Sequence, residues 1–128
     1  MPSLYTLKIV TDFAAAHSLR GYQGECSQLH GHNWTVEVEV NATKLDDVGI
    51  GIDFKLMKKA TKSVIGELDH THLNDLEAFK QINPTAENIA AYLYSRISAI
   101  INDDHVKVLA ITIWETGCAC VRYSEETI

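Results

Sequence analysis

The chain is poor in basic residues, proline and cysteine, and each shortage narrows what it can do. Eleven Lys and Arg face 17 Asp and Glu, for a formal charge of −6. Holding nucleic acid without sequence preference takes a basic footprint, and this balance argues against one. A small anionic ligand gripped by a local cluster stays open. No run approaches the ~18–20 apolar residues of a membrane-spanning helix. The start, Met1-Pro2-Ser3-Leu4-Tyr5, has no basic stretch leading into an apolar segment, so no secretory leader is expected. The cysteines, Cys26, Cys118 and Cys120, are odd in number, and Cys118 and Cys120 stand too close in sequence for an easy bridge. A reduced, cytoplasmic protein is the expectation. The only prolines are Pro2 and Pro84, and there is no linker, repeat or low-complexity segment. Residues 1–128 are therefore expected to form a single domain, with 46% apolar residues to build its core.

Periodicity supplies the elements. Residues 4–16 read as a strand with Tyr5, Leu7, Ile9 and Phe13 on one face. A polar, glycine-bearing loop follows over 18–29. Residues 34–42 alternate cleanly, Trp34, Val36, Val38 and Val40 against Thr35, Glu37, Glu39 and Asn41, as in an antiparallel sheet with one dry face. After the turn at Gly49-Ile50-Gly51-Ile52, Asp53 is placed to cap a helix with the apolar stripe Phe54, Met57, Ala60, Val64, Ile65 and Leu68. A second helix is expected over 85–101, capped by Thr85, with Ile89, Leu93, Ile97, Ile100 and Ile101 on its stripe and Glu87 favoured by the helix dipole. Two strands, 106–116 and 118–123, close the chain around Gly117. The order ββααββ predicts an α+β domain, a four-stranded antiparallel sheet with two helices on one face. Its outer strands would be open edges, which oligomerisation would cover. The third strand is apolar at both Val106, Val108, Ala110 and Leu109, Ile111, Ile113, so its second face is expected against a neighbouring subunit.

Chemistry concentrates in His30-Gly31-His32-Asn33-Trp34. In extended chain His30 and His32 point the same way. Neutral imidazole is a common zinc ligand, and His17, at the end of the first strand, is a third candidate. Three nitrogens leave one tetrahedral position free, as a catalytic zinc requires. Cys26 lies in a polar loop before them and is either a fourth ligand, which closes the site, or a free thiolate acting as base. At Asp69-His70 an aspartate either orients an imidazole, if the segment is bent, or the pair is ordinary polarity at a helix end. Glu115 ends an apolar strand and is either a solvated strand end or an acceptor for two N–H groups of a heterocycle. His72 and His105 read as non-catalytic, and Cys118 and Cys120 as ordinary strand residues.

Taken in order, Phe13-Ala14-Ala15-Ala16-His17, Cys26 with His30-Gly31-His32-Asn33, Asp53-Phe54, Leu68-Asp69-His70, Pro84-Thr85-Ala86-Glu87-Asn88 and Glu115-Thr116 resemble the 6-pyruvoyl-tetrahydropterin synthase family over nearly the whole chain. The short spacing from Cys26 to His30 is similar to the bacterial branch that forms 6-carboxytetrahydropterin for queuosine. The resemblance implies the tunnelling (T) fold, with sheets closing into a barrel in a trimer and two trimers stacked as a hexamer. It implies Zn2+ on His17, His30 and His32, with Cys26 as general base and Asp69 and His70 as its catalytic partners. Glu115 matches the pterin anchor, and Thr85 a residue near the pterin. The implied reaction converts 7,8-dihydroneopterin triphosphate to 6-carboxytetrahydropterin, acetaldehyde and triphosphate. Two alternatives stay open: a pyruvoyl-forming synthase that eliminates triphosphate without cleaving the side chain, and a non-catalytic zinc or pterin-binding module. Ser27 and Gln28 depart from the family, where a basic residue often follows the cysteine, so the triphosphate contacts are unassigned, with Arg20 and a lysine from another subunit as candidates. The segment Gly117-Cys118-Ala119-Cys120 also lacks the proline common at this turn in bacterial relatives.

Overall fold

The computed structural model describes residues 3–24 and 27–126. Strands β1 (Tyr5–His17) and β2 (His30–Ala42) come first, then helix α1 (Phe54–Ile65). A short strand β3 (Thr71–His72) and two 3-10 turns lead to helix α2 (Ala86–Ile101), followed by strands β4 (Val106–Thr116) and β5 (Ala119–Tyr123). The sheet order is β3-β1-β2-β4-β5. The four long strands pair antiparallel as expected. β3 adds a fifth strand, pairing parallel to β1 only at Ala15↔Thr71 and Ala16↔His72. Two residues are too few to carry a periodicity, so the sequence pattern cannot show it.

The helices form where their caps place them. Asp53 Oδ1 accepts the Lys55 N–H at 2.8 Å to start α1. Thr85 Oγ1 accepts the Asn88 N–H at 3.1 Å to start α2. Both helices cover one face of the sheet, where Trp34, Val36, Val38 and Val40 are fully buried with Met57, Ile89, Leu93 and Ile97. The stripes are shorter than expected at their outer ends. Phe54 and Ile100 are 51% and 54% exposed. α1 also stops at Ile65 under the Gly66 cap, and Leu68 is buried from the turn beyond it.

The two-faced reading of β4 is corrected. The register of β2 against β4 shifts between Glu39 and Val40, pairing Glu39 with Ala110 and Val40 with Val108. Leu109 is the extra residue of a β-bulge. Because opposed residues share a face, Val106 and Val108 before the bulge and Ile111 and Ile113 after it all lie opposite the dry residues Ala42, Val40, Val38 and Val36. The apparent second apolar face is one face with a phase slip. The true outer face is polar: Lys8 Nζ lies 2.6 Å from Glu37 Oε1, and Arg122 Nε lies 3.0 Å from Glu39 Oε2. An apolar contact with a neighbouring subunit is therefore not supported by this strand.

Gly51 fits where no side chain would, since a Cβ there would lie 2.7 Å from the Cβ of buried Ala42. Neither carbon can swing away, so the backbone would have to shift. Gly51→Ala is expected to destabilise the fold by about 1–3 kcal/mol. Urea unfolding should show the midpoint falling with little change in slope.

Candidate metal centre

The full-length register of β1 against β2 sets His17 directly opposite His30, with Ala15 opposite His32. His30 and His32 share a face because strand side chains repeat every second residue, and His17 shares it because it opposes His30. β4 lies on the far side of β2 and ends beside them, bringing in Glu115. His17 Nε2 lies 3.1 Å from His30 Nε2. Glu115 Oε1 lies 3.2 Å from His17 Nε2, 3.0 Å from His32 Nε2 and 4.0 Å from His30 Nε2.

These atoms fit a metal ion. The ligand atoms of His17, His30, His32 and Glu115 all lie within 4.8 Å of one another. Ligands on a tetrahedral zinc at ~2.0–2.1 Å are roughly 3.3 Å apart, a spacing the cluster brackets. Carbonyl oxygens fix the ring tautomers. His17 Nδ1–H donates to the Pro84 carbonyl at 2.8 Å, and His30 Nδ1–H donates to the Gln28 carbonyl at 2.7 Å. A carbonyl only accepts, so each proton sits on Nδ1 and each Nε2 offers a lone pair to the centre. His32 Nε2 is shielded from solvent, with Glu115 Oε1 3.0 Å away. Burial pushes the His32 pKa down, against the opposing pull of Glu115, and so favours the neutral, ligating form. Trp34 floors the cluster, its ring 4.9 Å from His17 and 5.3 Å from His32, edge-on to both.

The other candidate residues stand apart. Asp69 Oδ1 accepts the Ala14 N–H at 2.9 Å and lies 3.0 Å from His70 Nδ1. The bend that lets neighbours meet is real, because His70 has a φ of 58°, rare for a residue with a Cβ. The His70 ring is 81% exposed, and among the described residues no hydrogen bond or ion pair joins it to the histidine cluster. The Ala14 N–H bond, helped by His70, holds the Asp69 carboxyl below the usual carboxylate range. Thr85 caps α2 beside Pro84, whose carbonyl holds His17. Cys26 lies outside the described residues. Arg20 donates from its guanidinium to the Phe79 and Ile82 carbonyls, so those donors tie the loop down and are not free for an anion. Asn74 and Asn83 each exchange two hydrogen bonds with one backbone residue, Ser18 and Arg20 respectively. The carbonyls of Pro84 and Gln28 had no side-chain signal to reveal them in the sequence.

A T-fold sheet carrying a cluster able to hold a metal at the end of its central strands defines the class. The chain belongs to the 6-pyruvoyl tetrahydropterin synthase family, whose model matches residues 6–126, and it is an enzyme of the lyase class. A 6-carboxy-5,6,7,8-tetrahydropterin synthase from Rickettsia typhi is 36% identical over 123 residues, covering 82% of this chain and 89% of its own length. A dihydroneopterin monophosphate aldolase from Pyrococcus furiosus is 37% identical over 103 residues, covering 80% of this chain and 82% of its own length. The structure of a 6-pyruvoyl tetrahydropterin synthase from Caenorhabditis elegans superposes with a TM-score of 0.87 at 27% identity, covering 98% of each chain.

His32→Ala is expected to weaken Zn2+ binding more than the ~10–100-fold typical of losing a residue that only supports a ligand. Competition with a chromogenic chelator measures it. Bound Cu2+ should also quench Trp34 emission in a Trp114→Phe background, and His32→Ala should abolish that quenching at stoichiometric metal.

Asp69 gives a pH signature. Its folded pKa is lowered, so its contribution to stability is present above the unfolded value of about 3.9 and is lost as pH falls through the folded value. Wild type and Asp69→Ala should differ in urea midpoint at pH 5–7 and converge on acidification below about pH 4.

Proposed function

We propose that this chain is a zinc-dependent 6-carboxytetrahydropterin synthase of queuosine biosynthesis, acting on 7,8-dihydroneopterin triphosphate. The observation that carries the reading is the convergence of His17, His30 and His32, lone pairs inward, beside Glu115. Relatives named for this activity cover most of the chain. Substrate and one water give 6-carboxytetrahydropterin, acetaldehyde and triphosphate. Zn2+ held by the three histidines would supply Lewis acidity toward the oxygens of the substrate side chain.

The chain's own residues do the rest. The Cys26 thiolate removes a proton from side-chain carbon. His70, with Nδ1 held by Asp69, uses its other nitrogen to return protons as triphosphate leaves and the side chain breaks. Its exposure suits a site completed by a neighbouring subunit of a hexamer. Glu115 anchors the pterin by accepting N–H bonds from its amine and ring, two oxygens matching two donors. Thr85, at the start of α2, lies near the pterin. Among the described residues no helix is long and apolar enough to cross a membrane; the cytoplasm is the proposed place of an enzyme of this pathway.

Purified, zinc-loaded protein should release acetaldehyde and 6-carboxytetrahydropterin from the triphosphate, identified by mass. Formation of 6-pyruvoyltetrahydropterin would instead assign the pyruvoyl branch. The aldolase relative makes the monophosphate a necessary second substrate in the same assay. Cys26→Ala should retain zinc and lose roughly 10²–10⁴-fold in kcat. Loss of zinc in that variant would make the cysteine a ligand and favour a closed, non-catalytic centre.

A further inference from the structure

Glu115 occupies an unusual place in its strand. The pairing of β4 with β2 ends at Thr35↔Trp114, one residue short of it. The pairing with β5 passes from Trp114↔Cys120 to Thr116↔Ala119 and skips it. Glu115 thus has no ladder partner on either side, at the bulge where β4 turns toward β5. A carboxylate that must present two oxygens to a flat heterocycle needs a fixed backbone beneath it. The ladder does not fix it, so something adjacent must.

Trp114 is the last residue of β4 paired on both sides, and its indole lies on the opposite face of the sheet from the histidines. There Trp114 Nε1–H donates to Glu37 Oε2 at 2.5 Å, along the diagonal between neighbouring strands. The other oxygen of Glu37 lies 2.6 Å from Lys8 Nζ on β1. The Lys8 bond, then the Trp114 bond, holds the Glu37 carboxyl below its usual range, so the acceptor stays ionised at neutral pH. The side chain of Glu37 is only 15% exposed, so water competes poorly for that bond.

We infer that Glu37 is a positioning residue for the pterin site, clamping Trp114 from the outer face of the sheet so that the unpaired Glu115 is aimed at the bound heterocycle. This rests on Glu115 being the pterin anchor. The clamp spans β1, β2 and β4 through Lys8, Glu37 and Trp114, and it touches none of the metal-ligating atoms.

The test is binding of 7,8-dihydroneopterin to the zinc-loaded full chain, followed by fluorescence, with zinc content and thermal midpoint recorded for every variant. Glu37→Leu removes the acceptor, Trp114→Phe removes the donor, and Glu37→Gln keeps an acceptor of the same shape. Glu37→Leu and Trp114→Phe should each raise the pterin Kd by about tenfold. The double variant should be no worse than either single one. Glu37→Gln should stay within about threefold of wild type, and all variants should hold zinc as wild type does. With the triphosphate as substrate, KM should rise more than kcat falls. If Glu115→Gln loses pterin binding while Glu37→Leu and Trp114→Phe keep it, the clamp is refuted and the anchor stands. If Glu115→Gln binds pterin as wild type does, the anchor reading fails and the clamp with it.

Discussion

The pairing of β1 with β2 is the constraint on which the rest hangs. Thirteen consecutive pairs, from Tyr5↔Ala42 to His17↔His30, run without a break. Side-chain period in a strand is two, so a slip by one residue would turn Trp34, Val36, Val38 and Val40 to the outer face together with His32. The dry face that folds the domain and the imidazole face able to hold a metal are therefore one face, set by one register. Burial of a valine ladder under two helices is what pins the histidines. The core thus sets which face the three imidazoles share, and the Pro84 and Gln28 carbonyls then orient His17 and His30.

The two faces of the sheet divide the work. The covered face carries Trp34 as both core residue and floor of the cluster, stacked on Phe13 and edge-on to the imidazoles. The outer face holds its charges in pairs, Lys8 with Glu37 and Arg122 with Glu39. The bulge at Leu109 is the device that keeps β4 in phase with β2 despite an extra residue. Reading that strand by strict alternation inverts half of it, which is why its outer face looked apolar in the sequence and is polar in the structure.

Much of this was legible in advance, for identifiable reasons. The ββααββ order of the long elements and the caps at Asp53 and Thr85 rest on local spacing and are found; His17, His30 and His32 rest on side chains with one dominant chemistry, and the structure brings them together with Glu115. The strand carrying the histidine motif begins earlier than its valine alternation, at His30, because polar ligands carry no hydrophobic period. The fifth strand was hidden by its brevity, and the supports of His17 and His30 by being backbone carbonyls. Glu115 was legible as a carboxylate at a strand end, but its approach to within 3.0 Å of His32 depends on where β4 lies in the sheet, a long-range fact. The Glu37–Trp114 bond joins residues 77 positions apart and leaves no mark on local pattern.

The bond from His17 to the carbonyl of Pro84, just before the Thr85 cap of α2, ties the approach to that helix to the sheet. An ion gripped by His17 is then also a brace between helix and sheet, present in the folded protein and absent from the unfolded one. By mass action, a metal ion at a hundred times its dissociation constant would add about 2.7 kcal/mol to folding stability. The same linkage runs backwards: whatever loosens the docking of α2 weakens the grip on the ion. With such an ion bound, the joint between α2 and the sheet would therefore be firmer than without it.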